Sequence, residues 1–296
     1  MTPAQPRWFS PLLLANLIAQ IGIIVTGGLV RVTGSGLGCP SWPQCVPGSY
    51  TPTVEQAEGF HKYIEFGNRT LTGVLGILAV ASLLAVLRYA RHRHLVVSAA
   101  LVLVGVLIQA VLGGITVWAG LHPATVSAHF LVSAGLVAAA SYLYFTRHEP
   151  GGPTQLTVPP LVSRLGWGTA AVAGLVLALG TVVTGSGPHS GDADTPARFG
   201  FDPRTISWLH ADAVMIFLGL VIGMVVATRL TGQTPRARSG WTGVLHVTVL
   251  QGVVGYVQYL TKLPEPLVIV HMLLAGLLVV MVTRALLSER ARTASE

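Results

Sequence analysis

The chain has 296 residues, of which 52% are hydrophobic and only 10% are charged, and its formal net charge is +7. A soluble globular chain carries about 25% charged residues, so this composition and the mean hydropathy of +0.66 exclude soluble and disordered proteins and indicate a multi-span membrane protein. The two cysteines exclude a disulfide-rich scaffold and a CxxC zinc site.

Eight apolar segments are long enough to cross a membrane, since a bilayer core about 30 Å thick needs roughly 20 helical residues. We therefore predict an all-α membrane protein with spans near 9–30, 63–87, 95–118, 124–146, 161–184, 205–228, 241–260 and 266–287. Longer loops lie near 31–62 and 185–204. The first span exceeds the apolar core of a signal peptide and has no small-residue cleavage site after it.

The distribution of basic residues predicts the orientation of the spans. If both termini are cytoplasmic, the cytoplasmic segments contain twelve of the 18 Lys and Arg residues. The other six fall on or near the outer side: Arg31, Lys62, Arg69, Arg198, Arg204 and Lys262. We therefore predict a cell-membrane protein with cytoplasmic termini, and the positive charge indicates topology instead of nucleic-acid binding.

The chain contains an internal repeat. At a shift of 142 residues, the aligned pairs are Asn68 with His210, Gln109 with Gln251, Gly113 with Gly255 and His129 with His271. The pentapeptide VTGSG also occurs at both 32–36 and 183–187. We predict two tandem pseudo-symmetric four-helix bundles, residues 1–147 and 148–296, related by an axis along the membrane normal because four spans return the chain to its starting side.

Three histidines occupy repeat-related places inside spans, where ionisable side chains are costly and mark functional sites. His210 and His271 lie at similar predicted depth, and two facing imidazoles in a four-helix bundle suit a six-coordinate haem iron. A zinc site would need three or four ligands, and the other alternative is two histidines that only hydrogen-bond within the bundle. In the first half, His129 repeats His271, but Asn68 stands in the place of His210.

Polar residues of the second span lie near Asn68. Glu65 is three residues earlier on the same helical face, and Arg69 follows Asn68 directly. A buried carboxylate here is a candidate for acid–base or electrostatic catalysis, and a Glu65–Arg69 ion pair is the alternative. His61, about 10 Å nearer the outer surface, is either a substitute haem ligand or an interfacial histidine.

These motifs resemble those of the haem A synthase family. The resemblance is carried by RVTGSGLGCPSWPQC after the first span, IEFGNR in the second, and a histidine on the outer turns of spans four, six and eight. It covers about 9–287. It implies a membrane oxidoreductase that oxidises the C8 methyl of haem O to a formyl group, giving the haem A of terminal oxidases.

The resemblance also implies roles for single residues. His210 and His271 match the iron ligands of a haem b in the C-terminal half. His129 matches a histidine of the N-terminal half, where haem O binds as the substrate. Glu65 matches an acidic residue needed for turnover.

Cys39 and Cys45 match a cysteine pair that some family members carry on the outer side. Because thiols in an oxidising compartment usually pair, we expect a disulfide, either as a structural clip or as a redox relay.

Two positions depart from the family pattern. The family's Glu-x-x-His-Arg motif has Asn68 at its histidine, and the His-Arg pair of span six is His210-Ala211 here. Either His129 alone holds the iron of the substrate, or another side chain such as His61 completes the pair.

The expected partners are the lipid bilayer, haem O, a haem O-forming enzyme and an unidentified electron donor. One competing interpretation is a di-haem b-type electron carrier, which needs the histidines but not Glu65. Another is a transporter, since parallel repeats also occur there. The glycines cluster at span ends, which favours a cofactor-binding bundle: Gly34, Gly36, Gly185 and Gly187.

Overall fold

The computed structural model describes residues 4–54, 56–192, 196–231 and 234–294. Within these ranges, eight helices are long and apolar enough to cross a membrane, so the predicted all-α membrane architecture is confirmed. They are α1 (Phe9–Val32), α2 (His61–Tyr89), α3 (Arg93–Trp118), α4 (Pro123–Thr146), α5 (Pro160–Ser186), α6 (Pro203–Leu230), α7 (Pro235–Leu260) and α8 (Glu265–Ser288).

Each predicted span lies inside one of these helices, and the largest difference is the start of α7. That helix begins at Pro235, six residues before the predicted start at Trp241. The side chain of Thr234 accepts a hydrogen bond from the N–H of Ala237, and Pro235 takes the first helical position, where its missing N–H costs nothing. The basic segment after Thr234 is therefore helical and not part of the loop.

The helices bury three sets of apolar side chains, one of which lies around Phe9 and Leu95. We use N-terminal half for α1–α4 and C-terminal half for α5–α8. One buried cluster comes from the C-terminal half and includes Phe217 and Trp241. Another comes mainly from the N-terminal half, and Val280 of α8 packs into it beside Val102 and Val137. α8 therefore contacts both halves.

The two ends of the bundle differ. The terminal end holds the start of α1 and the end of α8, and here β1 (Thr154–Leu156) pairs antiparallel with β2 (Arg290–Arg292), joining the α4–α5 connection to the segment after α8. The loop end holds the segments that follow α1 and α5. There, the N–H of Gly36 donates to the carbonyl of Gly191 at 2.8 Å, so these two loops are joined.

Candidate functional site

His210 lies on α6 and His271 lies on α8, so both belong to the four helices of the C-terminal half. Each ring faces a glycine of a neighbouring helix. A Cβ built on Gly180 of α5 would lie 3.3 Å from Cε1 of His210, and one on Gly255 of α7 would lie 3.4 Å from Cε1 of His271. The backbones of α5 and α7 therefore leave just enough room for the rings.

The ring nitrogens of these histidines are unusually placed. The Nδ1 atoms of His129, His210 and His271 are enclosed and have no hydrogen-bond partner. The Val176 carbonyl interacts with His210, but outside hydrogen-bond geometry. Since Nδ1 is the enclosed atom in each half-buried ring, Nε2 is the atom that can reach a ligand. Histidines that bind metals normally present one nitrogen to the metal and turn the other towards a protein group.

A glutamine supports the helical turn that carries a histidine in each half. The Nε2 group of Gln109 donates to the carbonyl of His129 at 2.8 Å, and that of Gln251 donates to the carbonyl of His271 at 3.0 Å. The Oε1 atoms of both glutamines are buried without a partner. The repeat in the sequence aligned these residues, and the structure shows that they position α4 and α8.

The N-terminal half presents one imidazole in the same manner. A Cβ on Gly113 of α3 would lie 3.6 Å from Cε1 of His129. Asn68 is engaged elsewhere, because its Oδ1 accepts a hydrogen bond of 2.7 Å from Thr26 of α1. His61 is exposed at the start of α2, and its Nδ1 lies 2.8 Å from the hydroxyl of Ser35. Neither of these two contacts involves His129.

Glu65 is buried, with 4% of its surface exposed, and both of its carboxylate oxygens accept hydrogen bonds. Oε2 accepts from the N–H of Cys39 at 2.6 Å, and Oε1 accepts from Arg69, whose Nε is 2.9 Å away. Arg69 also donates to the carbonyls of Cys39, Ser41 and Gln44. The ion pair that the sequence offered as an alternative is therefore present, and it also anchors the loop after α1.

The predicted disulfide between Cys39 and Cys45 is confirmed, with Cα atoms 4.3 Å apart. Between the two cysteines, Trp42 stacks edge-on against Trp118, with ring centroids 5.6 Å apart. The Trp42 ring also lies against α3, where a Cβ on Gly114 would come within 2.7 Å of it. The loop thus covers α3 beside the glycine that faces His129, a contact that sequence analysis did not predict.

A second buried carboxylate lies outside the spans. Glu289 follows α8 and is 1% exposed. Its Oε1 accepts a hydrogen bond of 2.8 Å from Nε1 of Trp241, and Ser163 also hydrogen-bonds to it. Burial disfavours the charged form and raises the pKa of Glu289 to about 7. The sequence offered one clue, since its repeat partner is the basic residue Arg147.

A site for a single metal ion such as zinc would need three or four ligand side chains close together. Among the residues that the structure describes, no three His, Cys, Asp or Glu side chains gather around a point that could hold a metal ion. The candidate site therefore consists of imidazoles presented singly or in a pair.

Comparisons with known proteins bear on this arrangement. The family of cytochrome oxidase assembly proteins, COX15-CtaA, matches residues 10–283. Curated proteins named "Heme A synthase" from Bacillus cereus (strain 03BB102) and Bacillus anthracis (strain CDC 684 / NRRL 3495) are each 26% identical to this chain over 279 residues. The aligned region covers 90% of this chain and 88% of those proteins. The similarity extends from α1 into α8 and includes all of the candidate histidines.

Proposed function

Since this chain belongs to the COX15-CtaA family of cytochrome oxidase assembly proteins, we propose that it is a haem A synthase, which oxidises the C8 methyl group of haem O to a formyl group. The observation that carries this proposal is the similarity to proteins named "Heme A synthase" along 90% of the chain. The glycine-backed imidazoles support it, because histidine side chains are common ligands of haem iron.

The C-terminal half fits a resident haem b. His210 and His271 would be its two iron ligands, since both lie in the helices of this half and each keeps Nε2 available while Nδ1 is enclosed. Gly180 and Gly255 fix the ring positions by close contact. A haem b bound by two histidines supplies single-electron transfer. The protein contributes the orientation of the rings.

The N-terminal half would hold haem O as the substrate. We propose that His129 is the iron ligand there, because its ring is presented as that of His271 is. Asn68 accepts its hydrogen bond from Thr26, so it serves to join α1 and α2. His61 is the candidate for a second ligand, because Ser35 contacts Nδ1 and leaves Nε2 of that ring available.

Glu65 would act as a fixed negative charge near the substrate. Three donor groups from Cys39 and Arg69 already bind its carboxylate oxygens, so the position of the carboxylate is fixed. A preorganised charge of this kind stabilises positive charge that develops in a transition state. The loop with Trp42 would also exclude water from the site.

We propose that the division into residues 1–147 and 148–296 is functional, with substrate in the first half and the electron-transferring haem in the second. The excess of basic residues supports cytoplasmic termini and a position in the cell membrane. Haem O would come from a haem O-forming enzyme, and electrons from a separate donor.

The proposal is tested by producing the chain in cells that make haem O but no haem A, and by resolving the extracted haems by mass. The expected result is haem A. If the membrane contains the full-length protein and only haem O is recovered, the chain is not a haem A synthase, and a di-haem electron carrier becomes the better interpretation.

A further inference from the structure

A groove of about 600 Å³ lies between α4, α5 and α8 at the terminal end of the bundle. Its walls are mostly apolar, and it runs from Leu131 on α4 down to Tyr142, which is about 16 Å at 1.5 Å per helical residue. Leu156 of β1 and Arg290 of β2 line its terminal end. The α4 residues that line the groove face α5, whereas His129 of α4 faces α3. The groove is therefore separate from the proposed N-terminal haem site.

Small residues keep the groove open. A Cβ built on Gly135 of α4 or on Gly174 of α5 would meet no atom within 4 Å. A Cβ on Gly105 of α3, in contrast, would collide with Leu136, which packs directly against that glycine. Open space therefore lies in front of Gly135 and Gly174, and unfilled apolar space forfeits the dispersion contacts that close packing supplies. An apolar chain in the groove would restore those contacts.

The mouth of the groove carries an unpaired cationic donor. Nη2 of Arg290 is buried and has no hydrogen-bond partner. The same guanidinium lies 5.3 Å from the centroid of the Tyr142 ring, and its Nη1 donates to Thr154 at 3.2 Å. The adjacent acid, Glu289, is bound by Trp241 and Ser163. A buried charged donor without an acceptor is costly, which indicates an anionic partner at this position.

We propose that this groove binds one anionic phospholipid, with its phosphate at Arg290 and an acyl chain between α4, α5 and α8. Basic pockets between transmembrane helices commonly bind anionic headgroups, and the length of the groove suits an extended acyl segment. The lipid fills the space where the two halves diverge. This site is independent of the proposed haem chemistry.

Native mass spectrometry of the purified full-length protein tests the proposal, with phosphatidylglycerol and phosphatidylcholine of identical acyl chains as the added lipids. We expect one tightly retained phosphatidylglycerol per chain and weaker retention of phosphatidylcholine. Arg290→Gln should weaken phosphatidylglycerol binding roughly fivefold, the effect of one basic group on an anionic lipid, without changing phosphatidylcholine binding.

Two variants fill the groove from opposite walls, Gly135→Leu on α4 and Gly174→Leu on α5, and either should abolish specific retention. Gly168→Leu is the matched control, because Gly168 is exposed on α5 outside the groove and its Cβ would also meet no atom. Its binding should equal that of the unmodified protein. Equal retention of both lipids, unchanged phosphatidylglycerol binding in Arg290→Gln and in the groove-filling variants, or an isoprenoid or haem occupant would overturn the proposal.

Discussion

The buried carboxylate of Glu65 accepts a hydrogen bond of 2.6 Å from the backbone N–H of Cys39, a residue of the disulfide that closes the loop after α1. One side chain of α2 therefore anchors the loop after α1, and we propose that the same carboxylate lies beside the substrate. Arg69 strengthens this anchoring, because it binds Glu65 and three carbonyl groups of the loop.

Replacing Glu65 by Gln separates charge from shape. Glu65→Gln keeps the reach of the side chain but removes the fixed charge, so we expect haem A formation to fall by about 10²-fold, within the usual range for such groups. Haem b content should be unchanged, because Glu65 lies in the other half. The measurement is haem A and haem b extracted from equal amounts of purified protein. Full haem A production in this variant would reduce Glu65 to a partner of Arg69.

The side chain at position 68 decides whether α2 offers an imidazole to a haem bound in the N-terminal half. Asn68→His should add a ligand and shift the absorption spectrum of haem bound there towards a low-spin, two-histidine form. The hydrogen bond from Thr26 would be lost, which costs about 1 kcal/mol of stability.

His61→Ala then shows whether His61 already serves as the second ligand. If it does, His61→Ala changes the spectrum in the native background and leaves it unchanged in the Asn68→His background. If the spectra are equal in the native background, His129 is the sole protein ligand of the substrate iron. Ser35→Ala is a useful companion, because it keeps the His61 ring and removes the hydroxyl that contacts its Nδ1, together with the contact of that hydroxyl to Thr33.

The location of the disulfide tests the proposed topology. Cys39 and Cys45 are both buried and bonded to each other, so a membrane-impermeant thiol reagent should label them in intact cells only after reduction. Labelling that requires lysis of the cells would place this loop in the cytoplasm and reverse the orientation. Labelling without reduction would show that the thiols are not paired in the cell.

Glu289 should make stability depend on pH. Its pKa is raised from 4.5 to about 7 in the folded protein, so between these pH values the folded state keeps a proton that the unfolded state releases. Stability therefore falls as pH rises from about 4.5 to about 7. Glu289→Gln removes this dependence, and its Tm relative to the unmodified protein should increase between pH 5 and pH 8. A constant difference in Tm would contradict the assignment, and Glu265→Gln, at an exposed site on α8, is the control.

The helices were predictable because the thickness of a bilayer imposes a length on every apolar span. The early start of α7 was missed for a specific reason. Hydropathy treats the basic segment after Thr234 as a break, whereas the Thr234-Pro235 pair is itself a helix-start pattern. Attention to that pair would have placed the start correctly.

The contacts of the site were less predictable than its residues. The repeat and the family resemblance predicted the histidines and Glu65 as site residues, and the resemblance predicted the disulfide that the structure contains. They did not predict the hydrogen bond from Thr26 to Asn68 or the one from Cys39 to Glu65. Those partners are 42 and 26 residues apart in sequence, and they meet only after the helices pack. The groove at Arg290 was not predicted either, because its walls come from helices far apart in the sequence and are brought together only by the fold.

The most direct test of the account is the haem content of the purified protein, resolved by mass, in two variants made in cells that supply haem O. His271→Ala should lose haem b while haem O remains bound, because only the C-terminal site loses a ligand. His129→Ala should keep haem b and lose haem O and haem A. If either variant loses both kinds of haem or neither while still inserting in the membrane, the assignment of one haem to each half is wrong.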